Sequence, residues 1–478
     1  MKWQINIQDF QGGYAPNWWK STYPTYGNKN MAGAMQNADI TNPNVLTQGP
    51  GLANLTNGTE AGVVSTLIKG ILKVPTATNV GYAVGGNKLY QINATTVASG
   101  GSPSWPRTIT DNGSELGEDV VEFQGNLYYS YNQTGSVGDI GKYDLASTFD
   151  DDWGSTVPTG AAALQSAPHQ MIAAGNDTMY IANGLYVASY DGTTFTAQAL
   201  DLPTGSVISS IAWSGDRLWI AANRPNLTGS NTNKSSIYSW DGTTSSWDDE
   251  IVVNGLISAL YVKNGTIFVW YADITSTGGY KLGYVNGSSI TDLENFTGGL
   301  PEFYQITTYQ DFLIWNSAGL IFAWGSGGKD LPTRLFQLAD GGYTTIGGIS
   351  ALFGTVLVAS TQSTSYKLAK FSGYDTACNW KSLLFDITGG GRVSSIDFVR
   401  INIESMSSGA LVDWKLLNDQ GTTIYNDTIS FSKNAAKTSI YYPLNGKVTD
   451  NFRLEFDWTN GSATNPVKIK SAKIYGTN

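Results

Sequence analysis

The chain has 478 residues, more than one hydrophobic core usually organises, so two or three units are expected. Charged residues make up only 14%, against roughly 25% in an ordinary globular domain, while glycine alone contributes 55 positions; turns are therefore abundant and solvated helix faces scarce. The net charge of −10 comes without a basic stripe, which disfavours tight binding to nucleic acid, and one cysteine (Cys378) with one histidine (His169) excludes an intrachain disulfide and a Cys/His zinc cluster.

Residues 1–60 begin MKWQINIQDFQGGYAPNWW, without the apolar run of a signal peptide, and continue as aromatic, Asn/Pro-rich text with few strand signals. They are expected to form an extended arm along other surfaces. Trp18, Trp19 and Tyr23, with Tyr26, are candidate partner contacts, or pack back on the chain itself. No later stretch reaches the roughly 18 apolar residues that a membrane-spanning helix needs, so no membrane span is expected.

Residues 61–378 alternate in short apolar runs bounded by Gly, Asn, Asp and Ser, with no 3.6-residue period of helical length. One hairpin unit recurs seven times: VGYAVGGNKLYQI, VVEFQGNLYYSY, MIAAGNDTMYIA, ISSIAWSGDRLWIAA, ISALYVKNGTIFVWY, YQITTYQDFLIWN and ISALFGTVLVAS. Aligning Leu89, Tyr128, Met179, Leu218, Ile267, Leu313 and Leu357 gives spacings of 39 to 51 residues, the length of a four-stranded propeller blade. Most copies are followed by a further strand ending in a second turn, among them GLYVASYDG, SSIYSWDG and GYKLGYVNG. Asp191-Gly192, Asp241-Gly242 and Asn286-Gly287 are therefore expected to join the third and fourth strands of successive blades as type I′ turns, a structural role. The termini decide whether six or seven blades close the propeller.

From residue 379 the rhythm changes to seven alternating strands in about a hundred residues, SLLFDI to VKIKSAKIYG, which fits a β-sandwich. The expected fold is all-β: an arm over 1–60, a β-propeller of six or seven blades over 61–378, and a sandwich over 379–478.

Chemistry is sparse by comparison. A sialidase-type Asp box needs Ser-x-Asp-x-Gly-x-x-Trp, but here Asp and Gly are adjacent, and the chain offers only seven arginines for a substrate carboxylate. A glycosidase needs two carboxylates about 5 to 10 Å apart, which sequence cannot select among 38 acids. His169 is expected to be structural or at the surface, Cys378 a small buried hydrophobe, and Asp150-Asp151-Asp152 a solvated linker rather than a calcium loop. Asn-x-Ser/Thr triplets such as Asn54-Leu55-Thr56 read as polar loops, and neither a P-loop nor a dinucleotide fingerprint is present. No catalytic residue, cofactor or metal site is expected. Trp240, Trp247, Trp270 and Trp324 are candidate sugar platforms, with packing between blades the more frequent role of such side chains.

The stretches ADITNPNVLTQGPGLANLTNG with VGYAVGGNKLYQIN, and NWKSLLFDITGGGRVSSIDFVRINIESMSSGALVDWKLL, resemble tail proteins of short-tailed bacteriophages, most of all the propeller-bearing tail nozzle or hub. The resemblance implies a structural virion protein, synthesised and assembled in the host cytoplasm. It implies a homo-oligomer, a hexameric ring, whose partners are other tail proteins (adaptor, fibre or spike) and through which DNA passes without specific binding. A glycan- or receptor-binding propeller of the tail surface is the alternative, and a propeller glycoside hydrolase ranks below both.

Overall fold

Short alternating segments punctuated by glycine fold as strands, antiparallel except where Lys20–Ser21 runs parallel to Leu384–Asp386, in the computed structural model, which describes residues 2–8, 10, 20–21, 32–40, 45–55, 66–73, 79–99, 104–110, 115–133, 138–161, 164–224, 234–273, 279–325, 333–337, 342–386, 394–449 and 451–477. Among these residues helix is confined to Ala94–Ser99, Trp153–Thr156 and Phe431–Asn434, with a 3₁₀ turn at Phe303–Gln305.

Seven four-stranded antiparallel blades follow one another in the chain. Their first strands are Ile71–Lys73, Glu115–Phe123, Met171–Ala173, Val207–Ser214, the second half of Asp249–Lys263, Ile306–Tyr309 and Tyr343–Leu352. Blades 4 and 5 share the long strand Asp249–Lys263, which pairs with Lys234–Trp240 up to Asn254 and with Thr266–Asp273 from Gly255 onward. The seventh blade takes its fourth strand from far upstream: Pro50–Asn54 lies antiparallel to Ser365–Tyr374, with Leu52 opposite Phe371.

Packing follows the same cycle. Each blade buries both faces, so apolar cores form between neighbours rather than within one sheet. Tyr82 and Val84 of blade 1 meet Val120 and Leu127 of blade 2; Phe268 and Trp270 of blade 5 meet Leu313 and Trp315 of blade 6. Between blades 7 and 1, Leu352, Leu357 and Ala359 pack on Ala83, Tyr90 and Ile92, which closes the cycle into a β-propeller. At this seam Gly348 N–H donates to Ile68 O at 2.9 Å. A β-carbon on Gly348 would lie 1.8 Å from Lys69 O, and one on Gly347 1.9 Å from Ile68 O, so only glycine lets the two backbones approach.

Six of the seven recurring hairpins join first and second strands. The copy VGYAVGGNKLYQI instead joins the second and third, placing Leu89 in a third strand, because the true first strand, Ile71–Lys73, is only three residues long and shows no alternation.

The segment read as an arm supplies strands to both units. Lys2–Ile7 pairs antiparallel with Ile469–Thr477, and Ala32–Gln36 with Asn379–Ser382. The C-terminal residues and these strands build two sheets, one ordered Lys2–Ile7, Ile469–Thr477, Ser394–Ile403, Ser439–Thr449, over a common core that includes Ile401, Trp380, Trp414 and Phe456. Cys378 lies in this core, where burial pushes its thiol well above its usual range.

Candidate functional site

The repeated Asp-Gly motifs sit where third strands pass to fourth strands, but not as type I′ turns: Gly192, Gly242 and Gly287 have φ of 97°, 86° and 59°, while Asp191, Asp241 and Asn286 are outside the left-handed region. Asp191 Oδ1 instead accepts Thr193 N–H at 2.8 Å and Thr194 N–H at 2.7 Å, and Asp241 Oδ1 accepts Thr243 N–H at 2.8 Å. These are Asx turns, in which the carboxylate replaces a backbone acceptor. The amides hold both carboxyls below the usual carboxylate range.

Trp240 and Trp270 are buried, so neither presents a face to solvent. Trp324 packs edge-on against Phe268, and Trp247 tilts over Tyr238. His169 is buried with Nδ1 donating to Ala182 O at 2.7 Å, and burial lowers its pKa, which keeps the ring neutral. Trp18, Trp19 and Tyr23 lie outside the described residues.

The acidic run corrects the expectation of a solvated linker. Asp151 is buried and receives Arg107 Nη2 at 2.5 Å, Tyr129 Oη at 2.5 Å and Thr110 N–H at 3.1 Å. It ties the outer strand of blade 1 to blade 2, so its charge is neutralised inside the protein rather than by water. Asp152 and the buried Asp139 share the Ser155 hydroxyl, and burial raises the Asp139 pKa. Among the described residues no group of three His, Cys, Asp or Glu side chains is placed to hold a metal ion.

The first strands surround a cavity of about 400 Å³ on the propeller axis, lined from all seven blades by residues that include Gly70, Asp119, Gln170, Ile211, Tyr261, Thr307 and Ser350. Polar side chains here were not singled out from sequence, and they form a repeating clamp. Asp119 Oδ2 accepts Met171 N–H at 2.8 Å, Gln170 Oε1 accepts Ile211 N–H at 2.7 Å, Ser210 Oγ accepts Leu260 N–H at 3.0 Å, and Thr307 Oγ1 accepts Ala351 N–H at 3.1 Å. Each reaches from one blade to the first strand of the next. Asp119 keeps part of its surface toward the cavity yet is ringed by protein, and this desolvation lifts its pKa to about 7. Nearby, Lys69 Nζ pairs with Glu118 at 2.7 Å and lies 5.8 Å from the Tyr304 ring centroid. Tyr304 and Phe303, from the turn between blades 5 and 6, also line the cavity.

A second cavity of about 400 Å³ lies between blades 6 and 7 and the strands entering them. Tyr309, Phe312, Phe371 and Tyr374 supply aromatic walls, with Asp39 and Gln48 among its polar residues.

No family model matches the chain, and no curated protein does. Similar solved structures include a chain of the mitotic checkpoint complex, at 13% identity and TM-score 0.42 over 65% of this chain and 93% of that one. The N-terminal domain of Nup159 matches at 11% identity and TM-score 0.40, over 68% and 95%. The soluble aldose sugar dehydrogenase of Escherichia coli matches at 12% identity and TM-score 0.38, over 67% and 99%. With likeness this low, nothing that those proteins bind or catalyse transfers to this chain.

Proposed function

We propose that the chain is a structural protein of a bacteriophage tail, of the nozzle or hub type, in which a seven-bladed propeller is carried on a C-terminal β-sandwich. The observation that carries this reading is the use of the axial polar groups: Asp119, Gln170, Ser210 and Thr307 are bound to the main chain of the next blade, so the positions that face the axis hold the propeller rigid. Rigidity is what a ring component under mechanical stress requires. The axial cavity of about 400 Å³ does not admit a duplex whose major groove alone is about 12 Å wide, so DNA would pass through a channel formed by several copies, with propellers outward. Such a protein is made in the host cytoplasm, becomes part of the virion, and contacts adaptor and fibre or spike proteins. Negative-stain electron microscopy of the purified chain, alone and with its tail partners, tests this: a ring of six copies is expected, and a strictly monomeric particle in both samples overturns it.

A second reading, glycan or receptor binding, is favoured by the cavity between blades 6 and 7, whose aromatic walls and polar groups suit a sugar ring better than the buried Trp240 and Trp270 do. Glycan-array binding that disappears in Phe371→Ala would move the assignment to this reading.

A further inference from the structure

The register of the first sandwich sheet fixes what its outer face carries. Gln4, Tyr475, Phe398 and Pro443 lie in one row across the four strands, and Asn6, Lys473, Arg400 and Tyr441 in the next. Their neighbours Ile5, Ile396, Val399, Ile474, Tyr442 and Leu444 are buried in the core, so these rows face outward. Phe398 stacks on Tyr475 at 4.2 Å between ring centroids and tilts against Tyr441 at 4.7 Å. Tyr441 is 57% exposed. Arg400 Nε donates to Ser439 Oγ at 2.7 Å, which leaves its charge unneutralised, and Lys473 has no carboxylate partner among the described residues. The one acid on the stretch, Asp397 at a bulge, accepts from Ser395 Oγ.

Charge divides unevenly along the chain. Residues 379–478 hold 11 Lys and Arg against 9 Asp and Glu, while residues 61–378 hold 14 against 26. The propeller carries the whole negative excess. The other large apolar side chain left most open among the described residues, Val252 at 62% exposure, stands on the outer strand of blade 4. Asp248, Asp249 and Glu250 precede it; Arg217 Nη1 lies 3.0 Å from Asp248 and 3.8 Å from the largely exposed Asp249, Glu250 Oε1 accepts from Ser236 Oγ at 2.6 Å, and Lys234 stands opposite Asn254. Among the described residues the blade-4 half of this strand pairs on one side only, with Lys234–Trp240.

We infer that the aromatic and cationic sandwich face centred on Tyr441 and Arg400 docks on the acidic outer strand of blade 4, around Val252, of a second copy of this chain. The contact rests on the oligomeric ring proposed above and supplies its geometry. Two different patches meet, so the interface is heterologous and propagates head to tail, closing into a ring when the rotation per step divides a full turn. Tyr441, Phe398 and Val252 supply apolar area, and Arg400 and Lys473 meet Asp249 and Glu250 around it. A nucleic acid or an unrelated acidic protein on the same sheet face is the competing occupant.

The test uses the full chain at micromolar concentration. Tyr441→Cys and Val252→Cys are made in separate chains, oxidised together, and analysed by non-reducing electrophoresis; the native Cys378 is buried and does not compete. Mixed-chain disulfides are expected. Arg400→Glu with Lys473→Glu should weaken self-association at least tenfold in sedimentation velocity. Pairing that chain with Asp249→Lys plus Glu250→Lys should restore it. Rings that form without the mixed disulfide and ignore the charge reversal would overturn this contact while leaving the ring reading intact. Disulfides that form mainly between two Tyr441→Cys chains would overturn it in favour of a two-fold interface. Binding of a single-stranded oligonucleotide that Arg400→Glu abolishes, without self-association, would overturn it in favour of the nucleic acid. A wild-type chain that stays monomeric with and without tail partners would overturn both readings.

Discussion

Asp191 and Gly192 divide the work of one turn in a way that separates side-chain chemistry from backbone geometry. Asp191 contributes an acceptor to Thr193 and Thr194, and an asparagine Oδ1 can do the same, so Asp191→Asn should leave the urea midpoint unchanged. Gly192 has φ of 97°, and a β-carbon there would approach Gln124 Oε1 to 2.2 Å; Gly192→Val should cost about 1–3 kcal/mol in the same measurement. Equal losses at the two positions would refute the division. Asp119 makes a second residue-scale prediction. Folded, it keeps its proton up to about pH 7; unfolded, it releases it near 3.8. Between those values the folded state binds more protons, so this carboxyl makes stability fall as pH rises, and the loss levels off above pH 7. Buried His169, with its lowered pKa, acts in the opposite direction, so the measurement is the difference between wild type and Asp119→Asn. The variant should lose about 1–3 kcal/mol at pH 5, because its amide nitrogen cannot accept one of the Met171 and Val120 N–H groups, whereas the hydroxyl oxygen of the protonated acid can, and the gap should narrow by pH 8. A gap independent of pH would place the Asp119 titration elsewhere.

Among the elements, the closing strand and the glycine seam decide whether the propeller holds. Leu52 of Pro50–Asn54 packs on the core between blades 6 and 7 beside Phe371, so Leu52→Asp should destabilise by about 2 kcal/mol and raise amide exchange in Ser365–Tyr374. Val157→Thr, on an exposed position outside both cores, serves as the control and should stay within about 0.5 kcal/mol. Gly348→Ala should be harsher than either, about 3 kcal/mol, since the added carbon meets the Lys69 carbonyl and the backbone must part. Unchanged exchange in Ser365–Tyr374 in Leu52→Asp would mean that closure does not depend on this strand. The blades themselves were legible because glycine turns and period-two alternation repeat at a constant interval. The closing strand was not: Pro50–Asn54 is half-buried along its whole length and shows no alternation, and nothing in PGLAN names a partner more than three hundred residues away. The axial clamps were hidden for a related reason, since Ser210 and Thr307 look like ordinary strand residues until the next blade is placed beside them. The Asp150–Asp152 run misled because consecutive acids suggest solvent, whereas the partner of Asp151, Arg107, stands on another blade.

At the scale of the whole molecule, the chain leaves the two-sheet unit, completes the propeller and returns, so the two units meet at a double crossing. The crossing is densely bonded. Asn37 Nδ2 donates to Asp375 Oδ2 at 3.0 Å and to Ala377 O at 2.9 Å, Asp375 N–H donates to Gly49 O at 2.9 Å, and Tyr374 N–H to Ala463 O at 2.9 Å. Leu46 and Ile469 exchange both backbone bonds at 2.9 Å, which anchors the strand leading to Pro50–Asn54 on the C-terminal sheets. If the two-sheet unit melts, the strand that closes blade 7 loses this anchor, and the propeller opens at the seam where it depends on that strand. The two units should therefore unfold together, as one calorimetric peak with matching calorimetric and van't Hoff enthalpies, although the chain exceeds the size at which single transitions are usual. Asn37→Ala with Gln48→Ala removes side-chain bonds at the crossing and leaves both cores intact, so the peak should split in two, the lower transition shifted by several degrees. Two resolved transitions in the unaltered chain would show that closure of the propeller is independent of the sheets that hold Lys2–Ile7 and Ile469–Thr477.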